Sequence, residues 1–227
     1  MDKPTYNNNH QQAPETLISL GAVCAVRSVP FILAALLRCG ARLRKANPTE
    51  LENDLTDRLR DKLDRDSVLR IRPIELFREV PLYDRKRSRQ KQLGRTDLIF
   101  LYSTGSFKPW PYFVIETKRL HVTLPSGWKS LAAEYVTGRQ GMMCFIDRRY
   151  ARDLTEGAML AYVFDGDVNK ARDAVVESVA ANPDKLKCDS LLCRLPSKTV
   201  AELSGIIESS HILPQGIFTI YHLFVKV

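Results

Sequence analysis

The chain has 227 residues, 44% of them hydrophobic and 26% charged, which excludes a fibrous or wholly disordered protein and fits one domain with a sizeable core. A formal net charge of +8 and a pI of about 9.3 favour polyanionic partners such as nucleic acid or an anionic surface. The five cysteines (Cys24, Cys39, Cys144, Cys188 and Cys193) are odd in number and irregular in spacing, which argues against a disulfide framework; they read as reduced thiols of a cytoplasmic protein.

Residues 1–15 are polar and Asn/Gln-rich and read as a disordered tail, not a targeting segment. The apolar stretch from Leu17 to Leu37 is broken by Arg27, Ser28 and Pro30, so its clean run is too short to span a bilayer and no membrane role is expected. It predicts two packed helices meeting near Ser28–Pro30, with Ser28 as N-cap, in an N-terminal helical extension over 16–45. Leu51, Leu55, Leu59 and Leu63 recur every four residues and predict a helix over 47–64. On that helix Glu52 projects into the apolar stripe, whereas Glu50 and Asp54 project away. Thr49-x-x-Glu52 matches a capping box, so Glu52 is either a cap or a site acid.

A strand is expected around 77–83, followed by a loop carrying Arg85, Lys86, Arg87, Arg89 and Lys91, with Arg95 just after it. Such a run is a solvated hairpin tip or a phosphate-binding loop, since each neutralised phosphate releases counterions. Residues 96–103 (TDLIFLYS) and 112–120 (YFVIETKRL) read as central strands joined by a Gly/Pro-containing turn. A helix over 129–137, a strand over 158–164, a turn at Asp165-Gly166-Asp167 and an amphipathic helix over 168–181 come next. A short run at 191–195, a helix over 198–209 and a strand over 216–227 complete the chain. The whole is an α/β protein with a mixed central sheet flanked by helices and extra elements at both ends; 166–227 is a C-terminal α/β extension packed on the core.

The chemistry gathers in the middle. Side chains alternate across a strand, so Glu116 and Lys118 share a face. An antiparallel hairpin turning near 105–110 brings the start of the first strand beside the end of the second, and so Asp97 beside both. Two carboxylates and an ammonium at the end of an apolar hairpin suit Mg²⁺ or Mn²⁺ with open water positions, with Asp97 and Glu116 as ligands. A bound ion there would polarise a phosphodiester, with Lys118 on the nucleophile or on the developing charge.

The pattern GRTDLIF followed by FVIETKRL resembles the core of the PD-(D/E)XK, or restriction-endonuclease-like, nucleases. The resemblance covers about residues 47–165 and implies an α-β-β-β-α-β core. It implies that Asp97 is the motif aspartate, Glu116 the motif acid, Lys118 the motif lysine and Glu52 the acid of the first core helix, with Thr96 in place of the motif proline. The ExKRL run followed by a Tyr-Val helix is similar to small bacterial restriction or phage-defence nucleases, and Glu134, Tyr135 and Gln140 resemble polar positions beside the site in some branches. The resemblance implies a Mg²⁺-dependent endonuclease, on DNA before RNA, with a homodimer or a companion defence subunit allowed. The alternative is a catalytically silent module of that fold that binds nucleic acid or a partner protein.

Overall fold

The computed structural model describes residues 15–83, 92–102, 112–152, 154–188, 195–196, 203 and 205–227; for 15–27, 93, 195 and 196 this is the backbone alone. The expected tail, the basic run Arg85–Lys91 and the start of the expected helix over 198–209 fall outside these residues.

The N-terminal segment is one helix, α1 (Glu15–Gly40), not two. Pro30 lies inside it and removes one backbone hydrogen bond, a cost of about 3 kcal/mol in an isolated helix. Val29, Ile32, Leu33, Ala35 and Leu36 are all buried, and this packing carries the helix through the proline. No helix among the described residues is long and apolar enough to cross a membrane. Next come α2 (Glu52–Leu63) and the single turn α3 (Ser67–Arg70), which Asp66 caps through two backbone N–H groups. These three helices cover one face of the sheet, with Leu55, Leu59, Leu63 and Leu69 packed against Phe100, Phe113, Leu160 and Tyr162.

Strands β1 (Ile74–Tyr83), β2 (Gln92–Tyr102) and β3 (Tyr112–Leu120) form an antiparallel meander. A small hairpin, β4 (Val122–Leu124) with β5 (Gly127–Lys129), comes next. It occupies part of the segment where a helix over 129–137 was expected: the helix α4 (Ala132–Val136) has only five residues, because Leu131 before it sits at φ 57° and cannot continue a right-handed helix backwards. After α5 (Met143–Ile146) come β6 (Glu156–Val163), α6 (Val168–Ala180) and α7 (Pro183–Leu186). Asp167 accepts the Lys170 N–H as N-cap of α6 and Gly166 takes φ 79°, as the Asp-Gly-Asp turn requires. The chain ends with β7 (Leu195–Pro196), β8 (Ile207–Leu213) and β9 (Gly216–Lys226). Ile207–Ser209, expected at the end of a helix, is instead the start of β8, because its partner β9 offers a ladder from Ile207↔His222 to Leu213↔Gly216.

The seven strands form one mixed sheet in the order β1-β2-β3-β6-β9-β8-β7. The pairs β3/β6 and β6/β9 are parallel and the rest antiparallel. The second face is covered by α4 to α7, whose Tyr135, Phe145, Val175 and Leu186 pack on Val114, Met159, Ala161 and Ile220. The result is a mixed sheet sandwiched between helices, the fold class expected. The sheet does not stop at residue 165, since β9 pairs with β6 along eight residues.

Candidate active site

The site lies where β2 and β3 part. Their ladder runs from Leu101↔Tyr112 to Leu98↔Ile115 and goes no further. Beyond it, β3 still pairs with β6 on its other edge, through Leu120. The β2-side edge of β3 is therefore left with N–H groups that need acceptors. Carboxylates supply them. Asp97 Oδ2 accepts from the Thr117 N–H at 2.6 Å and from the Thr117 hydroxyl at 2.9 Å. Glu52 Oε2 accepts from the Arg119 N–H at 3.0 Å. Thr117 and Arg119 are two residues apart and so present their N–H groups on the same edge.

Glu116 and Lys118 point to the face of Val114 and Leu120, while Thr117 points to the α2 face, where its hydroxyl is 3.0 Å from that of Thr56. Lys118 Nζ donates to Glu52 Oε1 at 2.8 Å, to Glu116 Oε1 at 3.0 Å and to the Thr117 carbonyl at 2.5 Å. The expected constellation of Asp97, Glu116, Lys118 and Glu52 is thus assembled from three elements. The capping-box reading of Glu52 is not: the N-cap of α2 is Leu51 with no side-chain bond, Thr49 bonds to Asn47, and both Glu52 oxygens serve β3. Glu50 is a second correction. It precedes the helix, so the helical projection does not apply to it, and it is 7% exposed, held by Arg58 and the Ala46 N–H.

The electrostatics follow from burial. Glu116 is 3% exposed, and its Oε2 is buried with no hydrogen-bond partner. Desolvation, with Asp97 adding to it, pushes its carboxyl well above the usual range against the pull of Lys118. Burial raises Glu52 as well, again opposed by Lys118. Lys118 is held above its ordinary value by Glu116, Glu52 and Asp97, which together outweigh its own desolvation. Three acids around one ammonium leave the cluster short of positive charge, and the unpartnered oxygen of Glu116 marks where the deficit sits. Carboxylate oxygens are hard donors, so the group that fits is a hard divalent cation with one or two protein carboxylates and the remainder water or phosphate. Among the described residues no three His, Cys, Asp or Glu side chains are placed to hold a metal ion by themselves.

Several residues matter here that the sequence reading passed over. Thr117 fixes Asp97, and Arg119 braces the start of α2 through its guanidinium on the Glu50 carbonyl at 2.9 Å. The signal was available: in an E-T-K-R strand the residues between the site residues must face the opposite layer. Tyr150 closes the other side, its hydroxyl 2.5 Å from the Arg95 carbonyl; burial raises that hydroxyl, and the nearby Glu116 adds to the rise. Arg95 is exposed and paired with Glu79, at 3.2 Å. The other five basic candidates, Arg85, Lys86, Arg87, Arg89 and Lys91, lie outside the described residues.

His121, Trp128, Tyr135, Gln140, Arg148 and Arg149 make hydrogen bonds away from the Asp97–Glu116–Lys118 cluster. His121 pairs through Nδ1 with Asp165 at 3.0 Å, and the exposed Trp128 donates to the same carboxylate at 3.2 Å. Tyr135 is buried against His222, Glu134 is exposed, and Gln140 Oε1 accepts from the Cys144 thiol at 3.8 Å. Arg148 and Arg149 donate to backbone carbonyls of Arg152 and Arg139. Cys39 and Cys144 are buried thiols; burial raises Cys39 and pushes Cys144 up to about 12. Compared with protein-family models, curated proteins and solved structures, the chain matches none of the three.

Proposed function

We propose that the chain is a metal-dependent nuclease of the PD-(D/E)XK type, hydrolysing phosphodiester bonds at the Asp97–Glu116–Lys118 cluster, with DNA as the favoured polymer and bacterial restriction or phage defence as its setting. The observation that carries this reading is the buried, unpartnered Oε2 of Glu116 beside Asp97 and Lys118. Asp97 and Glu116 are the residues that would hold Mg²⁺ or Mn²⁺. Such an ion would polarise a phosphoryl oxygen and lower the pKa of a bound water.

The protein's own groups have separable duties. Thr117 locks the Asp97 carboxylate through two hydrogen bonds to Oδ2. Glu52 holds Lys118 and the β3 backbone together. Lys118 has three N–H donors and three protein acceptors, so donating to water or phosphate requires it to release one of them. Glu116 is the acceptor with other work to do, and its release aims the ammonium at the reacting phosphate.

A second reading, a silent module of the same fold that binds nucleic acid or a partner, is favoured by one observation: all three Lys118 donors are satisfied within the protein. The test is incubation with supercoiled plasmid, linear DNA and RNA in Mg²⁺, Mn²⁺ or EDTA, beside Glu116→Gln. Metal-dependent cutting lost in the variant supports the nuclease. A wild type that neither cuts nor binds Mn²⁺ replaces it with the second reading.

A further inference from the structure

A basic depression lies away from the carboxylates, between the end of α1 and the second half of α2. It encloses about 300 Å³ and is lined by Arg42, Arg44, Arg58, Asp61, Lys62 and Arg65, with Leu43 at its base. Two of these cations are used structurally. Arg58 pairs with Glu50 and donates to the Arg44 carbonyl at 2.9 Å, and Arg44 donates back to the Ala41 carbonyl at 2.9 Å. Among the described residues, Arg42, Lys62 and Arg65 have no ion-pair partner, and Asp61 is the single acid in the lining.

Three uncompensated cations converging on one concavity repel one another. Folding together with an anion removes that repulsion, and a phosphate has the size and charge to do so. The place of the depression supplies the rest. Glu52 opens α2 and Lys62 is in its last turn, so the depression and the candidate active site are joined by one rigid element. Ten residues at 1.5 Å each separate them by about 15 Å along the axis, roughly four nucleotide steps of a duplex at 3.4 Å. Glu50 bridges the two places, since it holds Arg58 by its carboxylate and Arg119 by its carbonyl.

We infer that the depression formed by Arg42, Lys62 and Arg65 is a phosphate-binding site for the backbone of a nucleic acid, holding the strand a few nucleotides from Glu52 and Lys118. The inference rests on the proposed function for the identity of the polymer, but binding is measured without metal and so apart from cleavage. The experiment titrates labelled duplex DNA, single-stranded DNA and RNA with the full chain in EDTA, from 50 to 300 mM salt. Its variants are Arg42→Ala/Lys62→Ala/Arg65→Ala, the single change Arg65→Glu, which leaves α2 untouched, and Arg139→Ala/Arg172→Ala/Lys185→Ala as an equal loss of charge elsewhere.

The first triple variant is expected to bind at least tenfold more weakly than wild type at the same salt. Its slope of log affinity against log salt should be shallower by about one for each phosphate released. Arg65→Glu should move in the same direction with an unchanged melting temperature, and the control triple should lose far less. Equal losses in the two triples, an unchanged affinity in the first, or no binding of any polymer by wild type would overturn the inference. Glu116→Gln that binds as wild type but does not cut upholds the nuclease whatever the depression does. Binding that depends on the depression in a protein that never cuts upholds the depression alone.

Discussion

Lys118 is the residue on which the site's stability turns. It is the cationic partner of both the buried Glu116 and the partly buried Glu52. Removing one member of a buried ion pair leaves an uncompensated charge, which costs about 3–5 kcal/mol. Lys118→Ala is therefore expected to shift the urea midpoint down by that order, and Lys118→Ala/Glu116→Gln to recover a substantial part of it, because the amide carries no charge to strand. A double variant no more stable than the single would show that the Glu116 charge is not what Lys118 offsets. Glu116→Gln alone should cost less than Lys118→Ala, since the amide oxygen can still accept from Lys118 and Glu52 remains paired with the ammonium.

Among the elements, the site exists because β2 and β3 diverge and α2 fills in. Thr117 is the pin, touching Asp97 on β2 and Thr56 on α2 with one hydroxyl. Thr117→Val keeps the shape and removes both bonds. It should cost about 0.5–1.5 kcal/mol, the net worth of a hydrogen bond, because Asp97 keeps the Thr117 N–H and Thr56 keeps the Glu52 carbonyl and the Tyr162 hydroxyl. It should also reduce any cutting, while Thr117→Ser should retain both properties. Equal behaviour of the valine and serine variants would show that the hydroxyl pins nothing. The opposite side of β2 is held by packing. A Cβ on Gly94 would lie 2.6 Å from Tyr150 Cε1, and Tyr150 is 1% exposed with its hydroxyl on the Arg95 carbonyl. Gly94→Ala is expected to destabilise the protein by about 1–3 kcal/mol, read from a denaturant curve. A neutral result would mean that Tyr150 can move aside freely.

Across the molecule as a whole, a chain of buried polar groups crosses the second face of the sheet, away from the site. Its hydrogen positions follow from one end. The Leu186 carbonyl can only accept, so His211 Nδ1 donates to it at 2.8 Å. His211 Nε2 then accepts from Ser209, which accepts from His222 Nε2 at 2.9 Å, and His222 Nδ1 accepts from the Tyr135 hydroxyl at 3.1 Å. Every member is satisfied with both rings neutral. Burial lowers His211 to about 4, and burial with the neighbouring His211 lowers His222 to about 3. The unfolded chain titrates near 6.5, so above that pH neither state takes up the proton and the histidines do not affect stability. Below it the unfolded state binds protons that the folded state refuses, and stability falls by up to about 1.4 kcal/mol per pH unit for each histidine. The raised carboxyls of Glu116, Glu52 and Glu156 act in the opposite sense as pH falls, so the histidine contribution is read as a difference. From pH 6.5 to pH 4.5, His222→Gln should differ from wild type in the slope of urea midpoint against pH by about one histidine. An identical slope in the two proteins would contradict a buried neutral His222.

Local pattern alone carries the layers and the chemistry of the site. Alternation in YFVIETKRL put Glu116 and Lys118 on one face, and the hairpin reading put Asp97 beside them, because a strand's period of two and an antiparallel turn leave little freedom. Leu51, Leu55, Leu59 and Leu63 announced α2, although Leu51 ended as its exposed N-cap. Long-range packing settled what local signals left open. Glu52 matched a capping box as well as a site acid, and the bare N–H edge of β3 beyond the ladder made the choice, since a buried donor without an acceptor costs more than an uncapped helix. Pro30 read as a break, and burial on the sheet carried α1 through it. Residues 207–209 read as helix, and pairing with β9 made them strand, because a ladder partner lies far off in the chain and leaves no local trace. The basic depression belongs to the same class: Arg42, Lys62 and Arg65 are scattered charges along the chain, and only the packing of α1 against α2 turns them toward one point.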